Sequence, residues 1–197
     1  MRESVPLEKS APAERADAAR NRARILGAAG DLFARHGIDR VSMDAIAAEA
    51  GVGKGTLFRR FGSKAGLAVA LLDERERDLQ QAMLSGPPPL GPGAAAAARL
   101  RAFFDAYLRH LEQNLDLVRL SETSHPGARY DVGAYRFWHQ HVSLLVSELD
   151  GTLDAAYTAH ALLAPLAADL NRTLLDHDID FVRIRAGLDA LLARLTR

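Results

Sequence analysis

Apolar residues recur along most of this 197-residue chain at spacings of three and four, the period of an α-helix with one buried face. No window shows the sustained alternation that marks a β-strand. The pattern predicts nine helices, over 18–36, 43–50, 54–61, 64–83, 94–114, 115–122, 134–149, 153–177 and 181–195. The sequence therefore predicts an all-α protein, with an irregular stretch at 123–132 and a kink at Pro165, where the helix 153–177 loses one hydrogen-bond donor.

A glycine- and proline-rich segment, residues 85–93, interrupts the helical pattern in the middle of the chain. Three consecutive prolines cannot continue a helix, so we expect a linker there. This predicts a flexible tail at 1–19, an N-terminal domain at 20–80 and a C-terminal effector-binding and dimerisation domain at 94–197.

Composition narrows the possible functions. The chain has no cysteine, which excludes disulfides and Cys-ligated zinc. No apolar run approaches the length of a membrane span, and the N-terminus lacks the apolar region of a secretory signal, so a cytoplasmic protein is expected.

Residues 20–64 carry nine Lys and Arg against four Asp and Glu, whereas residues 65–197 carry thirteen against seventeen. Either the basic segment faces nucleic acid, or the charges cluster by chance on solvated faces.

The second and third helices are joined by Gly51-Val52-Gly53, which predicts a helix-turn-helix over about 42–61. The second helix of such a motif presents polar and basic groups to DNA. Phosphate-binding and dinucleotide-binding loops are excluded, because their glycine spacings require glycine where the chain has Ala48 and Thr56.

A nearly continuous stretch of about sixty residues resembles the N-terminal domain of the tetracycline-repressor-like (TetR) family. Its core is Ala50-Gly51-Val52-Gly53-Lys54-Gly55-Thr56-Leu57-Phe58, flanked by Arg24-Ile25-Leu26, Ser42-Met43 and Ser63-Lys64. The resemblance implies a DNA-binding regulator that acts as a dimer on a palindromic operator. It also implies phosphate contacts from Ser42, Thr56 and Lys64. Phe58 departs from the family, which usually has a tyrosine there.

The motif and the resemblance together predict a set of DNA-contacting residues on the second helix, the third helix and the start of the fourth. They are Ser42, Met43, Gly53, Lys54, Gly55, Thr56, Phe58, Arg59, Arg60 and Lys64.

The last two predicted helices carry more apolar surface than one domain core needs. One interpretation is a homodimer, and the resemblance implies a four-helix bundle between subunits; the other is a monomeric bundle. The dimer interpretation predicts an interface formed by Leu163, Leu166, Leu170, Ile184, Leu188, Leu191 and Leu195.

Aromatic residues and histidines concentrate in the middle helices, which is typical either of a ligand pocket or of plain core. The pocket interpretation names Phe104, Tyr107, Trp138 and His141. We therefore predict a repressor that a small-molecule effector releases from DNA. The alternatives are an all-α small-molecule-binding protein or enzyme with no DNA role, and a structural adaptor. No metal-ligand spacing, nucleophile constellation or cofactor loop is present, so neither a cofactor, a metal nor enzyme activity is expected.

Overall fold

The computed structural model describes residues 11–123, 125–131 and 133–196, with side chains from residue 16 onward. Over these residues it is all α-helical, as predicted, with ten α-helices and no strand. The helices are α1 (Ala11–His36), α2 (Met43–Glu49), α3 (Lys54–Phe61), α4 (Lys64–Ser85), α5 (Ala96–Glu122), α6 (Ala128–Asp131), α7 (Gly133–Leu149), α8 (Ala155–Leu163), α9 (Ala168–Asp176) and α10 (Phe181–Leu195).

The chain divides into two compact units, one ending at Leu71 and the other beginning at Leu72, so the boundary falls inside α4. The first unit packs α1, α2, α3 and the start of α4 around Ile25, Ile46, Leu57 and Leu67, each fully buried. In the second unit α5 is central, with α7, α9 and α10 packed against it. The proline-rich segment at 85–93 connects α4 to α5 within this second unit.

The first helix begins earlier than the apolar pattern predicted, at Ala11 rather than Ala18. Its early part is rich in alanine, the residue that favours helix most. Residues 11–19 of the predicted flexible tail are therefore helical, and residues 1–10 lie outside the described residues. The stretch predicted as irregular also contains a helix, the four-residue α6.

The predicted boundary at Asn114 is a kink inside one helix rather than a gap between two. Asn114 has φ −133° and ψ 17°, and α5 continues through it to Glu122. The Asn114 amide donates to the His110 carbonyl over 2.7 Å, and Arg75 of α4 donates to the Asn114 amide oxygen. These hydrogen bonds satisfy polar groups at the kink that lack their regular partners within the helix.

The single helix predicted over 153–177 is wrong, because Pro165 ends it instead of kinking it. One turn of 3-10 helix, Ala164–Leu166, separates α8 from α9. Polar side chains take up the backbone groups left free there. Arg129 donates to the Leu163 carbonyl over 2.9 Å, Glu122 accepts from the Ala168 N–H over 2.8 Å, and the Asn171 amide donates to the Pro165 and Ala167 carbonyls.

Candidate functional site

The start of α2 is fixed by Ser42, whose hydroxyl accepts a hydrogen bond from the Ala45 N–H over 3.1 Å. Ser42 itself is exposed, as a residue that meets phosphate has to be. The neighbouring Met43 is buried and packs in the core of the first unit. Of this predicted pair, only Ser42 presents its side chain to the surface.

The turn between α2 and α3 is closed entirely by the backbone. The Gly51 N–H donates to the Ala48 carbonyl over 3.1 Å, and the Val52 N–H donates to the Ala47 carbonyl over 2.9 Å. Gly51 adopts φ +61°, the left-handed conformation that glycine accepts without steric cost. Gly53 then precedes α3 in an extended conformation, φ −67° and ψ 138°.

One side of α3 is buried and the other is a continuous exposed face. Leu57 and Phe61 point into the core. The exposed face, formed by Lys54, Gly55, Phe58 and Arg59, is continuous because residues three and four apart are neighbours on a helix. Phe58 keeps 41% of its surface exposed, which is unusual for a phenylalanine and places an apolar ring among cations. We call this set the α3 face.

The basic residues of this region differ in how they are held. Lys54 forms an ion pair with Asp44 of α2, with 2.8 Å between its Nζ and Asp44 Oδ1. Arg60 is exposed and donates to the Ala18 carbonyl over 3.0 Å. Arg59 is exposed and has no ion-pair partner within 4 Å in the described part of the chain. Arg59 is therefore the α3 cation most available to an external anion.

Lys64 and Thr56 are half-buried rather than fully exposed. The Lys64 Nζ donates to the carbonyls of Ile38 and Asp39, over 2.8 and 3.2 Å, and so ties α4 to the loop after α1. An ammonium has three N–H donors, so one is left for a further acceptor. Sequence reasoning missed this structural role, because Ile38 and Lys64 lie far apart in the chain.

The four predicted pocket residues do not line one cavity. Tyr107 and Trp138 border a small inner cavity of about 20 Å³ in the second unit. Phe104 borders a groove of about 350 Å³ between α5 and α10. His141 borders neither; its ring lies 5.6 Å from that of Phe103, and its Nε2 is buried with no hydrogen-bond partner among the described residues.

The inner cavity contains ionisable groups that the sequence analysis did not single out. Glu76 of α4, Glu122 of α5 and Arg129 of α6 line it together with Tyr107 and Trp138. Glu122 and Arg129 form an ion pair whose side chains are only 11% and 10% exposed. Burial, reinforced by the nearby carboxylates of Asp73 and Glu122, raises the pKa of Glu76 to about 7. A carboxyl that changes charge near neutral pH is typical of functional sites.

Burial also shifts other groups in the second unit. It raises the pKa of the Tyr107 hydroxyl and that of the Glu122 carboxyl, although Arg129 opposes both shifts. It lowers the pKa of His110 and of His141 to about 4, helped by Arg75 and Arg99 respectively. Tyr107 keeps its proton and both histidines are neutral at pH 7.

The predicted interface residues fall into two groups. Leu163, Leu166 and Leu188 are buried within their own chain. Leu191 and Leu170 keep 59% and 43% of their surface exposed, and Ile184 and Leu195 are half-buried. Only the second group has apolar surface left for another subunit.

Comparison with known proteins bears directly on the first unit. Residues 25–71 match the family model of bacterial regulatory proteins of the tetR family. An HTH-type transcriptional regulator of Staphylococcus aureus strain USA300 is 43% identical over 65 residues, which are 33% of this chain and 34% of that protein. The first unit therefore contains a domain of the tetR family type. The sequence match spans about a third of the curated relative's length. The part that matches the family model contains the α3 face.

Solved structures show that the TetR-type fold extends over most of the chain. A transcriptional regulator from Saccharomonospora viridis, solved in complex with choline, superposes with a TM-score of 0.70 at 23% identity, over 89% of this chain and 96% of that one. A TetR/AcrR-family regulator from Thermobifida fusca gives 0.67 at 20% identity, over 88% and 96%. Among the described residues, no helix has the length and apolarity to cross a bilayer, and no three His, Cys, Asp or Glu side chains form a metal-binding group.

Proposed function

We propose that this chain is a TetR-family DNA-binding transcriptional regulator that docks through the α3 face. The observation that carries the proposal is the exposed, basic side of α3, a helix that a glycine turn joins to α2. A short helix of this kind fits the major groove, where Arg59 and Lys54 can meet guanine edges or phosphate. Gly55 leaves the α3 backbone open to close approach, and Phe58 offers its ring to a thymine methyl.

Phosphate contacts would come from the rim of this surface. Ser42, Thr56 and Arg60 surround the α3 face, and Lys64 has one N–H beyond those given to Ile38 and Asp39. Such contacts add affinity without sequence preference and make binding dependent on salt.

The test is selection of bound sequences from a random duplex pool, followed by fluorescence anisotropy with the selected duplex at several salt concentrations. Arg59→Ala should weaken binding by roughly tenfold, as expected for loss of one base or phosphate contact. Arg136→Ala in α7, also an exposed arginine, is the matched control and should bind as the unmodified chain does. If both variants bound equally well, the α3 face would not be the interface. If the chain bound no duplex at all, a small-molecule-binding protein without a DNA role would replace this proposal.

We also propose that the chain acts as a homodimer on a palindromic operator, through apolar surface on α9 and α10. Leu170 and Leu191, with the half-buried Ile184 and Leu195, supply that surface. A two-fold dimer presents two α3 faces to two symmetric half-sites. Leu191→Arg should give a monomer in sedimentation velocity, because the new charge would be buried unpaired at the interface. Leu120→Arg on α5, an exposed leucine outside the proposed interface, is the control and should stay dimeric.

Ligand control of DNA binding completes the proposed function. We expect repression that a small-molecule effector relieves, acting in the cytoplasm, where bacterial DNA lies. Support comes from the inner cavity with its buried ionisable groups, and from the fold relative that was solved with choline. The effector's presence should lower operator affinity, and by linkage the operator should lower effector affinity by the same factor.

A further inference from the structure

The inner cavity has aromatic walls. The rings of Tyr107 and Trp138, which both line it, lie 5.8 Å apart between centroids in an edge-to-face arrangement, at an interplanar angle of 79°. A third ring in the lining, Tyr135, already has the Arg129 guanidinium 5.4 Å from its centroid. The faces of aromatic rings carry partial negative charge and attract cations. The cavity thus contains one ring that binds an internal cation and two whose centroids lie close together.

The same cavity contains a carboxylate without a counter-charge. Glu76 is half-buried and has no cation within ion-pair distance among the described residues. The charges that act on it are the carboxylates of Asp73 and Glu122. The cavity lining contains the cation Arg129, but Arg129 is paired with Glu122. When Glu76 is ionised, the cavity has a net charge of −1.

We infer that the inner cavity binds an organic cation, with its ammonium group against Tyr107 and Trp138 and with Glu76 as its counter-charge. This inference rests on the proposed effector control and names the chemical class of the effector. A carboxylate and adjoining ring faces are the two groups that recognise alkylated ammonium ions. An anionic ligand would be repelled by Glu76, and a neutral one would leave that carboxylate buried without a partner.

The size of the cavity determines how the cation would enter. A volume of about 20 Å³ holds about one water molecule, far less than a trimethylammonium group. Binding must therefore displace part of the wall. The four-residue α6, which carries Arg129, is the shortest helix of that wall. Because Arg129 also hydrogen-bonds the end of α8, movement of α6 would reach the break between α8 and α9.

The protonation of Glu76 gives a distinctive pH dependence. The titratable and charged groups around it are Asp73 of α4, Tyr107 and Glu122 of α5, Arg129 of α6 and Tyr135 of α7. Of these, only the carboxylates raise its pKa alongside burial, to about 7. A permanently charged ligand binds the ionised form, so affinity should fall by about tenfold from pH 8 to pH 6.

The experiment is calorimetric titration of the full chain at pH 8 and pH 6. The ligands are choline, benzyltrimethylammonium and the neutral choline isostere 3,3-dimethylbutan-1-ol. At pH 8 at least one cation should bind about tenfold or more tightly than the isostere. Glu76→Gln should remove both the preference for cations and the pH dependence. Glu74→Gln, the same substitution two residues away on α4 and outside the cavity lining, should keep both.

Three results would overturn the inference. These are no binding of either cation at 10 mM, equal binding of the neutral isostere, or an unchanged preference in Glu76→Gln. The pH comparison on the unmodified chain requires no variant, so a folding defect in Glu76→Gln cannot obscure the result. Duplex binding by the ligand-free chain, measured in parallel, keeps failure of this inference separate from failure of the proposed DNA-binding function.

Discussion

The break between α2 and α3 and the break between α8 and α9 are stabilised by contrasting sets of hydrogen bonds. At the first interruption, every hydrogen bond that closes the turn joins backbone groups within five residues of each other, and Gly51 supplies the unusual dihedral. At the second, the free backbone groups near Pro165 are bound by side chains that include Arg129 and Glu122, which lie 34 and 46 residues away in sequence.

This difference separates a locally encoded turn from one that depends on the tertiary fold. Glycines and a capping serine are visible in any short window of sequence, so the α2–α3 turn follows from its own residues. A proline inside an apolar helical pattern leaves open whether the helix bends or ends. The helix ends at Pro165 because the side chains of Arg129, Glu122 and Asn171 hydrogen-bond the backbone groups that the break leaves free.

The largest expected effect comes from breaking the distant support of the second interruption. Arg129→Met would leave Glu122 as an unpaired buried charge and the Leu163 carbonyl without its donor. We expect the free energy of unfolding to fall by about 3–5 kcal/mol. Trp138, the only tryptophan and a buried residue of the second unit, reports this unfolding by fluorescence during urea denaturation.

An exposed ion pair between α5 and α9 provides a matched control. Arg119 of α5 pairs with Asp169 of α9 over 3.0 Å, but both side chains are exposed. Arg119→Met should cost less than about 1 kcal/mol, because water screens an exposed pair. Equal losses in the two variants would show that the buried pair contributes no more than a surface one.

The next effect is the pH dependence of stability in the second unit. His110 and His141 stay neutral in the folded chain down to about pH 4, whereas the unfolded chain protonates them near 6.5, so stability falls as pH falls through that window. Glu76 keeps its proton up to about pH 7 when folded but loses it near 4.5 when unfolded, so stability falls as pH rises through that window.

Between pH 5 and 6 these three groups together therefore bind about one proton more in the unfolded chain than in the folded chain. Stability should rise by about 1.4 kcal/mol per pH unit. Glu76→Gln should roughly double this slope, and His110→Leu should bring it close to zero. Urea denaturation at pH 5.0, 5.5 and 6.0 measures the three slopes. Equal slopes would mean that these groups do not titrate as their burial indicates.

A smaller effect tests the locally encoded turn. Gly51→Ala forces a Cβ into the left-handed region at φ +61° and should cost about 1–2 kcal/mol, although the space around it is open. Gly55→Ala lies within α3, also in open space, and should stabilise the helix by about 0.5–1 kcal/mol. Because the added methyl stands on the α3 face, Gly55→Ala should still weaken duplex binding. A variant that is both more stable and equally strong in binding would remove Gly55 from the interface.

Features of the fold that depend on local signals could be predicted from the sequence. The bounds of α3 and α10 agree with prediction, since caps and apolar spacing at 3.6 residues per turn are local signals. The residues of the α3 face are likewise recognisable in sequence. The sequence predicted only part of the inner cavity: the aromatic pattern singled out Tyr107 and Trp138, but no pattern singled out Glu76, Glu122 or Arg129. Only the packing of α4, α5 and α6 buries them together.

Another small effect concerns Lys64, which has both a structural contact and a proposed phosphate contact. Lys64→Met removes the donor to the Ile38 and Asp39 carbonyls and should cost about 1 kcal/mol of stability. It should also lower the slope of log affinity against log salt by about 1. Loss of stability with an unchanged salt slope would assign Lys64 to the fold alone.

The buried pair of Glu122 and Arg129 also constrains how this chain can diverge. A lineage that replaces either residue first passes through a protein weakened by several kcal/mol, a large part of a domain's stability margin. Simultaneous replacement of both residues by apolar residues of similar volume avoids that unstable intermediate, but only if the backbone groups around Pro165 find new hydrogen-bond partners. Changes at these positions are thus epistatic, whereas the α2–α3 turn, which depends on its own residues, can be inherited or transplanted as a block.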